Sequence, residues 1–382
     1  MKTTSLDAPE PPLLRVSGLT KHFPTGRSLL RRRTGAVRAV DGVDLTVGTG
    51  QSIGLVGESG CGKSTTGRLI TRLLEPSAGT IAYRGRDITH ASRRELAPIR
   101  AQIQMIFQDP YSSLNPRHTI GTILRAPLDV NDIDPPGGRE RRIGELLETV
   151  GLNPEHRNRF PHEFSGGQRQ RIGIARALAA GPSLIVADEP VSALDVSIQA
   201  QVINLLGDLR RDLGIAFVFI AHDLAVVRHF CDRVMVMYLG RVVESADRDS
   251  LYERAHHPYT HALLSAVPGA TGPDGTRLER IRLSGDVPSP IDPPSGCRFR
   301  TRCHKAQDVC ATTEPPLIAL EGRPGHEVAC HFPEPVKTQP VRTTGSVRRR
   351  PVDREPVDRG TVETLAPATA GQTPPTGKAA HP

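Results

Sequence analysis

The sequence lacks tryptophan, and aromatic residues make up only 4% of its 382 residues. Proteins that bind single-stranded nucleic acid stack its bases on exposed aromatic side chains, so this scarcity argues against such a platform. The sequence also lacks an apolar run of 18 residues, the length that a membrane-spanning helix requires. Residues Met1–Pro12 are polar and Pro-rich without the apolar segment of a secretory signal, so we expect a cytoplasmic location.

The basic balance of the chain is local. The formal net charge is +8, but much of the excess lies in Arg27–Arg38 and Arg342–Arg350. A basic protein can bind nucleic acid or an anionic membrane surface. Because much of the excess positive charge lies in two short runs, solvated loops and a tail are the simpler interpretation, and we expect no nucleic-acid partner.

The distribution of apolar residues predicts how the chain is organised. Short apolar runs alternate with helical patterns over residues 13–255, as buried parallel strands and their connecting helices require, which predicts an α/β fold with a mostly parallel sheet. A helical subdomain is expected at about 109–180. Pro-rich pieces around four cysteines predict a small extension over 256–332. Residues 333–382 hold too few apolar side chains to offset the entropy of ordering, so we expect a disordered tail and a flexible N-terminus at 1–12.

The periodicity also predicts individual elements. The expected strands are Leu13–Phe23, Val37–Val47, Ser52–Val56, Ile81–Ile88, Ile103–Phe107, Ser183–Ala187, Ile215–Ile220 and Val234–Tyr238. The expected helices are Lys63–Leu74, most of Thr119–Val150, and Ile198–Leu213.

A glycine-rich loop follows the third expected strand and opens a helix. Its sequence fits GxxxxGK[ST], in which successive backbone N–H groups surround phosphate oxygens at a helix N-terminus. We expect Lys63 to reach the β- and γ-phosphates and the Ser64 hydroxyl to coordinate Mg²⁺. Cys61 is interpreted as a small loop residue rather than a redox switch. The expected nucleotide-binding residues are Gly57, Glu58, Ser59, Gly60, Cys61, Gly62, Lys63, Ser64 and Thr65.

Two carboxylates, Asp188 and Glu189, end an apolar strand. An apolar sheet tolerates such groups only beside cations, and a bound Mg²⁺ would supply one. We predict that Asp188 binds the metal and that Glu189 is the general base for the attacking water. A strand that simply emerges into solvent is the alternative, which the neighbouring phosphate loop disfavours.

The motif Ser165-Gly166-Gly167-Gln168 resembles the signature of ATP-binding cassette (ABC) proteins, with Phe164 where leucine is commoner. Taken alone, it is only a helix that starts at a serine N-cap. The resemblance implies the P-loop nucleotide-binding domain of that family, with a mixed, largely parallel sheet and a helical subdomain. In the family two cassettes enclose two ATP molecules, so these residues would bind the γ-phosphate held by the opposite chain.

Further positions match the same family. Gln108 resembles the Q-loop glutamine, which the resemblance implies contacts Mg²⁺ and water and senses the transmembrane partner. Ser192–Asp195 resembles the D-loop, so Asp195 would lie at the nucleotide interface, and His222 resembles the switch histidine that contacts the γ-phosphate. Phe23 resembles the aromatic residue that stacks on adenine, with a buried core phenylalanine as the alternative. Gln108 and His222 would thus join the expected general base in catalysis.

The C-terminal extension resembles that of oligopeptide and dipeptide importer ATPases. It carries His257-Pro258-Tyr259-Thr260 and Gly296-Cys297-Arg298-Phe299, while Val40-Asp41-Gly42-Val43 resembles the F-type subunit of those systems. The resemblance implies a peripheral ATPase at the cytoplasmic face of a bacterial cell membrane. Its partners would be a second ABC ATPase subunit, identical or different, two transmembrane permease subunits and, indirectly, an extracytoplasmic peptide-binding protein.

Other functions remain open from the sequence. The same machine could import nickel, glutathione or antimicrobial peptides, because the cargo is selected outside this chain. A soluble ABC ATPase acting on DNA or ribosomes is disfavoured, because such proteins usually carry two fused cassettes or a long coiled-coil insertion. A P-loop kinase for a small metabolite would lack the signature motif.

Four of the six cysteines crowd the extension, which in a cytoplasmic protein suggests metal before disulfide. Their spacing, x5, x6 and x19, fits neither a zinc ribbon nor a standard ferredoxin. Four thiolates suit a [4Fe-4S] cluster or a tetrahedral Zn²⁺, and some members of the importer subfamily carry the cluster. Packed thiols without metal are the third interpretation. The candidate ligands are Cys297, Cys303, Cys310 and Cys330.

Overall fold

The computed structural model describes residues 11–25, 35–109, 113–267 and 280–335. The strands are β1 (Leu14–Pro24), β2 (Ala36–Val47), β3 (Ser52–Val56), β4 (Ala78–Tyr83), β5 (Arg86–Asp87), β6 (Ile103–Ile106), β7 (Leu184–Asp188), β8 (Ala216–Ala221), β9 (Arg233–Tyr238), β10 (Arg241–Asp247), β11 (Ile318–Leu320) and β12 (Arg323–Val328). The α-helices are α1 (Lys63–Ile70), α2 (Arg93–Gln102), α3 (Ile120–Val130), α4 (Arg139–Thr149), α5 (Gly166–Leu178), α6 (Val196–Leu213), α7 (Leu224–Phe230), α8 (Arg248–Arg254), α9 (Pro258–Ser265) and α10 (Asp308–Thr312).

The main sheet has eight strands in the order β11-β12-β10-β9-β3-β8-β7-β6. The five strands from β9 to β6 run parallel, whereas β10, β12 and β11 add antiparallel pairs at the other edge. Strands β3, β7 and β8 are buried at every residue, which explains why their sequences are continuous apolar runs. The prediction of an α/β fold with a largely parallel sheet is confirmed.

A second sheet, β2-β1-β4-β5, is antiparallel. One hydrophobic core fills the space between this sheet, α1 and one face of the main sheet. A second core joins the opposite face of the main sheet to helices α3 to α9. The main sheet is therefore covered on both faces, and its parallel strands open towards ligands only at their carboxyl ends.

Two predicted elements differ from the observed ones by more than one or two residues at their ends. The strand predicted at Ile81–Ile88 is wrong, because Arg84 and Gly85 take positive φ values of 48° and 77° and turn the chain into a hairpin between β4 and β5. Helix α1 ends at Ile70 rather than Leu74, since Arg72 is left-handed at φ 54°. Most of Thr119–Val150 is helical as predicted, in two helices separated by a loop with consecutive prolines and glycines at 135–138.

The C-terminal extension is tied into the main sheet. Strand β12 pairs antiparallel with β10, and β11 pairs with β12. Within the described ranges, no helix is both long and apolar enough to cross a membrane. Residues 1–10 of the expected flexible N-terminus and 336–382 of the expected tail lie outside the described residues, and the domain boundaries stay predictions.

Candidate active site

The phosphate loop, residues 57–62, joins β3 to α1 and depends on glycine at two positions. Gly57 and Gly62 have φ values of 155° and 107°. A Cβ atom on Gly57 would lie 2.2 Å from the carbonyl oxygen of Met237, and one on Gly62 would lie 2.0 Å from that of Ala39. The backbone therefore packs too closely here for any side chain. Gly62 also offers no side-chain cap, so the first N–H groups of α1 are available to an anion.

The Lys63 side chain folds back across the loop. Lys63 is only 4% exposed, and its Nζ donates to the carbonyl oxygens of Gly57 at 2.8 Å and Glu58 at 3.0 Å. No carboxylate of a described residue forms an ion pair with this ammonium. Nζ also lies 3.9 Å from the Cys61 sulfur, and a buried cation with these neutral partners favours an anionic ligand in the loop.

Ser64 and Asp188 meet where α1 begins and β7 ends. Ser64 Oγ donates to Asp188 Oδ1 at 2.7 Å, and Asp188 is 2% exposed. Burial raises the pKa of Asp188, while the hydrogen bond from Ser64 opposes that shift. A hydroxyl and a buried carboxylate next to a phosphate loop are ligands that Mg²⁺ prefers. The structure thus brings these two predicted metal ligands together.

Two other predicted residues, Gln108 and His222, converge on Glu189. Gln108 Nε2 donates to Glu189 Oε2 at 2.9 Å, and His222 Nδ1 lies 3.8 Å from the same oxygen. These residues follow β6, β7 and β8, which are adjacent parallel strands, so their carboxyl ends meet at one edge. Glu189 itself has a positive φ of 45°, held by its N–H bond to the carbonyl of Ile220 at 3.0 Å. Such a strained residue is typical of functional sites.

The signature motif lies at the start of α5. Ser165 caps the helix in a capping box: its oxygen accepts from Gln168 N at 3.4 Å, and Gln168 Oε1 accepts from Ser165 N at 3.0 Å. Gly167 packs against α6, where a Cβ would lie 2.6 Å from Ile198 Cγ2. No hydrogen bond or ion pair among the described residues joins this motif to the phosphate loop. The start of α5 is therefore separate from the phosphate loop of its own chain.

Asp195 and Phe23 are both accessible. Asp195 is exposed at the N-terminus of α6, where its side chain makes no capping bond. Phe23 is half-buried, lies outside both hydrophobic cores and has the Lys21 ammonium 5.3 Å from its ring centroid. A partly open aromatic face suits stacking better than it suits a core position.

The four extension cysteines come together although 33 positions separate the first from the last. Burial raises the pKa of the Cys297 and Cys303 thiols, and raises that of Cys330 to about 11, with further contributions from the other three thiols. Cys297 N also donates to the carbonyl of Cys310 at 2.8 Å. Within the described ranges, no three of these thiols lie within 4.8 Å of one another, so the arrangement is more open than a tetrahedral zinc site.

Two contacts to the phosphate loop were not predicted from the sequence. Arg302 forms a bidentate ion pair with Glu58, at 2.6 Å and 3.0 Å, and Tyr259 Oη accepts from Glu58 N at 2.8 Å. More than 200 positions separate these partners from Glu58 along the chain. The motifs around both residues were visible in the sequence, but a contact over that separation leaves no local signal.

The sequence matches two family models. Residues 40–192 match the ABC transporter family, and residues 243–310 match the oligopeptide/dipeptide transporter C-terminal region. A putative peptide import ATP-binding protein of Brucella ovis is 55% identical over 321 residues, which are 84% of this chain and 98% of the relative. The oligopeptide transport ATP-binding protein AppF of Bacillus subtilis is 50% identical over 321 residues, which are 84% of this chain and 97% of that protein.

Solved structures resemble the nucleotide-binding part. One is the dimeric post-hydrolysis state of an ATP-binding cassette bound to ADP and phosphate, with a TM-score of 0.55 and 29% identity, covering 62% of this chain and 98% of that one. Another is CbiO1 from Clostridium perfringens, part of an ABC transporter complex, with a TM-score of 0.55 and 26% identity, covering 64% and 91%.

Proposed function

The chain belongs to the ABC transporter family of ATP-binding proteins, and from that premise we propose that it powers the import of dipeptides or oligopeptides. It is the subunit that binds and hydrolyses ATP. The convergence of Gln108 and His222 on Glu189, next to the Ser64–Asp188 pair, is the observation that supports hydrolysis. The match of residues 243–310 to the oligopeptide/dipeptide transporter C-terminal region supports a peptide cargo.

The residues of the phosphate loop divide the work of binding ATP. Its backbone N–H groups and the N-terminus of α1 surround the phosphates. The Lys63 ammonium leaves the carbonyls of Gly57 and Glu58 and meets the β- and γ-phosphates. Ser64, Asp188 and Gln108 would hold Mg²⁺, which would neutralise charge on the phosphate oxygens. Phe23 stacks on the adenine ring.

Hydrolysis proceeds by attack of water on the γ-phosphorus. The Glu189 carboxylate accepts a proton from that water while its oxygen bonds to phosphorus, and the bond to the β–γ bridging oxygen breaks to give ADP and phosphate. Gln108 fixes the carboxylate at 2.9 Å, and His222, with a 61% exposed side chain, is free to turn towards the γ-phosphate.

A second ABC subunit completes each site. Ser165, Gly166, Gly167 and Gln168 present a helix N-terminus that binds the γ-phosphate held by the phosphate loop of the opposite chain, with Asp195 at the same interface. Closure of this pair on ATP and its reopening after hydrolysis drive two transmembrane permease subunits. The subunit therefore sits at the cytoplasmic face of the membrane, and an extracytoplasmic binding protein delivers the peptide.

The thiols of Cys297, Cys303, Cys310 and Cys330 would hold a [4Fe-4S] cluster. Their fit rests on the gathering of four thiols in one short extension, where burial and neighbouring thiols raise the pKa values of Cys297, Cys303 and Cys330, because a metal centre would replace the protons and relieve the repulsion between thiolates. Absorbance near 400 nm in the protein as isolated supports the cluster. Bound zinc without that absorbance would replace it with Zn²⁺, and neither signal would leave packed thiols.

Uptake of labelled peptides tests the cargo. The full chain, its partner ATPase, two permeases and the binding protein are reconstituted in liposomes with ATP at the side of the ATPase. Peptide accumulation that requires ATP supports the proposal. ATP hydrolysis stimulated by nickel or glutathione, but not by peptides, would contradict it.

A further inference from the structure

The segment between Cys297 and Cys303 is anchored at several points on the nucleotide-binding part of the chain. At one end, Arg298 donates to the carbonyl oxygen of Leu239 at 2.5 Å and pairs with the carboxylate of Asp41. The Arg298 side chain is only 7% exposed, so this anchor is shielded from solvent. One end of the segment is thus fixed against β2 and the turn after β9.

The centre of the segment packs against two tyrosines. Phe299 is 1% exposed, and its ring centroid lies 5.2 Å from that of Tyr238 and 5.3 Å from that of Tyr259. The two tyrosine rings are themselves 4.8 Å apart. Tyr259 reaches the phosphate loop directly, because its Oη accepts the N–H bond of Glu58 at 2.8 Å. This aromatic cluster therefore links the segment to the loop.

At the other end of the segment, Arg302 forms an ion pair with the side chain of Glu58. Nη1 and Nη2 donate to the two carboxylate oxygens at 2.6 Å and 3.0 Å, a bidentate pair in which the arginine side chain is 8% exposed and the glutamate side chain 28%. The carbonyl of Glu58 accepts from Lys63 Nζ at 3.0 Å. Glu58 is thus held through its N–H, its carbonyl and its carboxylate.

We propose that residues 297–303 form a strut that positions the phosphate loop, with Arg302 as the positioning residue and ATP affinity as the property that it sets. This proposal depends on the proposed function, since it assumes that the chain binds ATP. When Lys63 turns from the loop carbonyls to the phosphates, Glu58 loses that bond. Arg302 and Tyr259 then keep the loop open, so binding does not have to reorder it.

The affinity of the full chain for magnesium ATP tests the strut, measured by displacement of a fluorescent ATP analogue. Loss of the charge-assisted pair in Arg302→Gln or Glu58→Gln raises Kd by about tenfold. The double variant is no weaker than either single variant, because both remove the same interaction. Arg302→Lys keeps the charge and recovers part of the affinity. In the assembled transporter, Arg302→Gln raises KM for ATP and leaves kcat nearly unchanged.

Arg300→Gln is the matched control. Arg300 lies in the same segment, but its hydrogen bonds go to Ser295 and not to the phosphate loop. We expect its Kd to stay within about twofold of the wild type. Equal losses in Arg300→Gln and Arg302→Gln would overturn the proposal, and so would additive effects in the double variant. If the wild type binds ATP and the single variants bind it with the same Kd, the proposal is also overturned. If the wild type does not bind ATP, the proposed function itself is overturned.

Discussion

Gly60 and Gly62 offer a matched pair of substitutions within the phosphate loop. Both have positive φ, 79° and 107°, so alanine at either position costs about 1 to 2 kcal/mol of backbone strain. They differ in space: a Cβ on Gly60 meets nothing within 4 Å, whereas one on Gly62 lies 2.0 Å from the Ala39 carbonyl oxygen and 3.1 Å from Met237 Cε. Only Gly62→Ala forces the backbone to move.

The displacement needed at Gly62 sets the expected effect. The added Cβ would lie closer to the Ala39 carbonyl oxygen than real Cβ contacts come by at least about 1 Å, and the obstacle is backbone rather than a side chain that can rotate. A misplacement of about 1 Å in a preorganised site can cost about 100-fold. We expect Gly62→Ala to weaken ATP binding by about that factor, and Gly60→Ala by less than about fivefold.

The assay is equilibrium binding of a fluorescent ATP analogue to each variant, with unfolding in urea as a control for stability. Because the chain has no tryptophan, unfolding is followed by circular dichroism. Equal ATP affinities for the two variants would refute the reasoning, because strain alone would then account for the role of both glycines.

Three further predictions concern the helix caps and the buried acid and histidine. Ser165→Ala should leave ATP binding to the single chain unchanged but lower hydrolysis in the assembled pair by about tenfold or more. The control Ser92→Ala removes the same kind of capping box from α2 and should lower only the free energy of unfolding, by about 1 kcal/mol. Equal hydrolysis rates in the two variants would contradict binding of Ser165 to the γ-phosphate of the opposite chain. Burial lowers the pKa of His257 to about 4, so between about pH 6.5 and pH 4 the unfolded chain binds a proton that the folded chain does not. The free energy of unfolding should therefore fall by up to about 1.4 kcal/mol per pH unit as the pH decreases through this range. In urea titrations, His257→Asn should show a weaker dependence of this free energy on pH, and an unchanged dependence would contradict the assignment. Glu244→Gln should lower the free energy of unfolding by about 3 kcal/mol, because the fully buried carboxylate accepts hydrogen bonds from His256 N, His257 N and His326 Nε2. The control Glu321→Gln, at an exposed position, should change this free energy by less than about 0.5 kcal/mol. Similar unfolding curves for these two variants would contradict the prediction.

The sequence predicted elements whose signal is local. The apolar runs of β3, β7 and β8 and the glycine-rich loop each carry their own pattern, and parallel strands must bring their carboxyl ends to one edge. Gln108 and His222 were assigned to the site of Glu189 by resemblance to the ABC family, and the adjacent parallel strands β6, β7 and β8 explain why the three residues meet. The hairpin at Arg84–Gly85 was missed because an arginine in the left-handed conformation has no sequence signal.

Contacts between distant parts of the chain could not be predicted in the same way. Arg302 and Glu58 are 244 positions apart, and neither residue alone indicates its partner. The buried Glu244–His326 pair also has no local sequence signal, because each residue by itself fits a solvent-exposed position. Such pairs depend on how the extension folds back on the main sheet, which only the tertiary structure supplies.

Glu189→Gln tests the central claim, that this chain hydrolyses ATP with Glu189 as the base. The amide keeps the shape of the side chain but cannot accept the proton, so magnesium ATP should bind with an affinity within a few-fold of the wild type. Hydrolysis in the assembled transporter should fall by about 10² to 10⁴ fold. Glu148→Gln, on the exposed face of α4, serves as the control and should keep full activity. Undiminished phosphate release from Glu189→Gln would contradict the account.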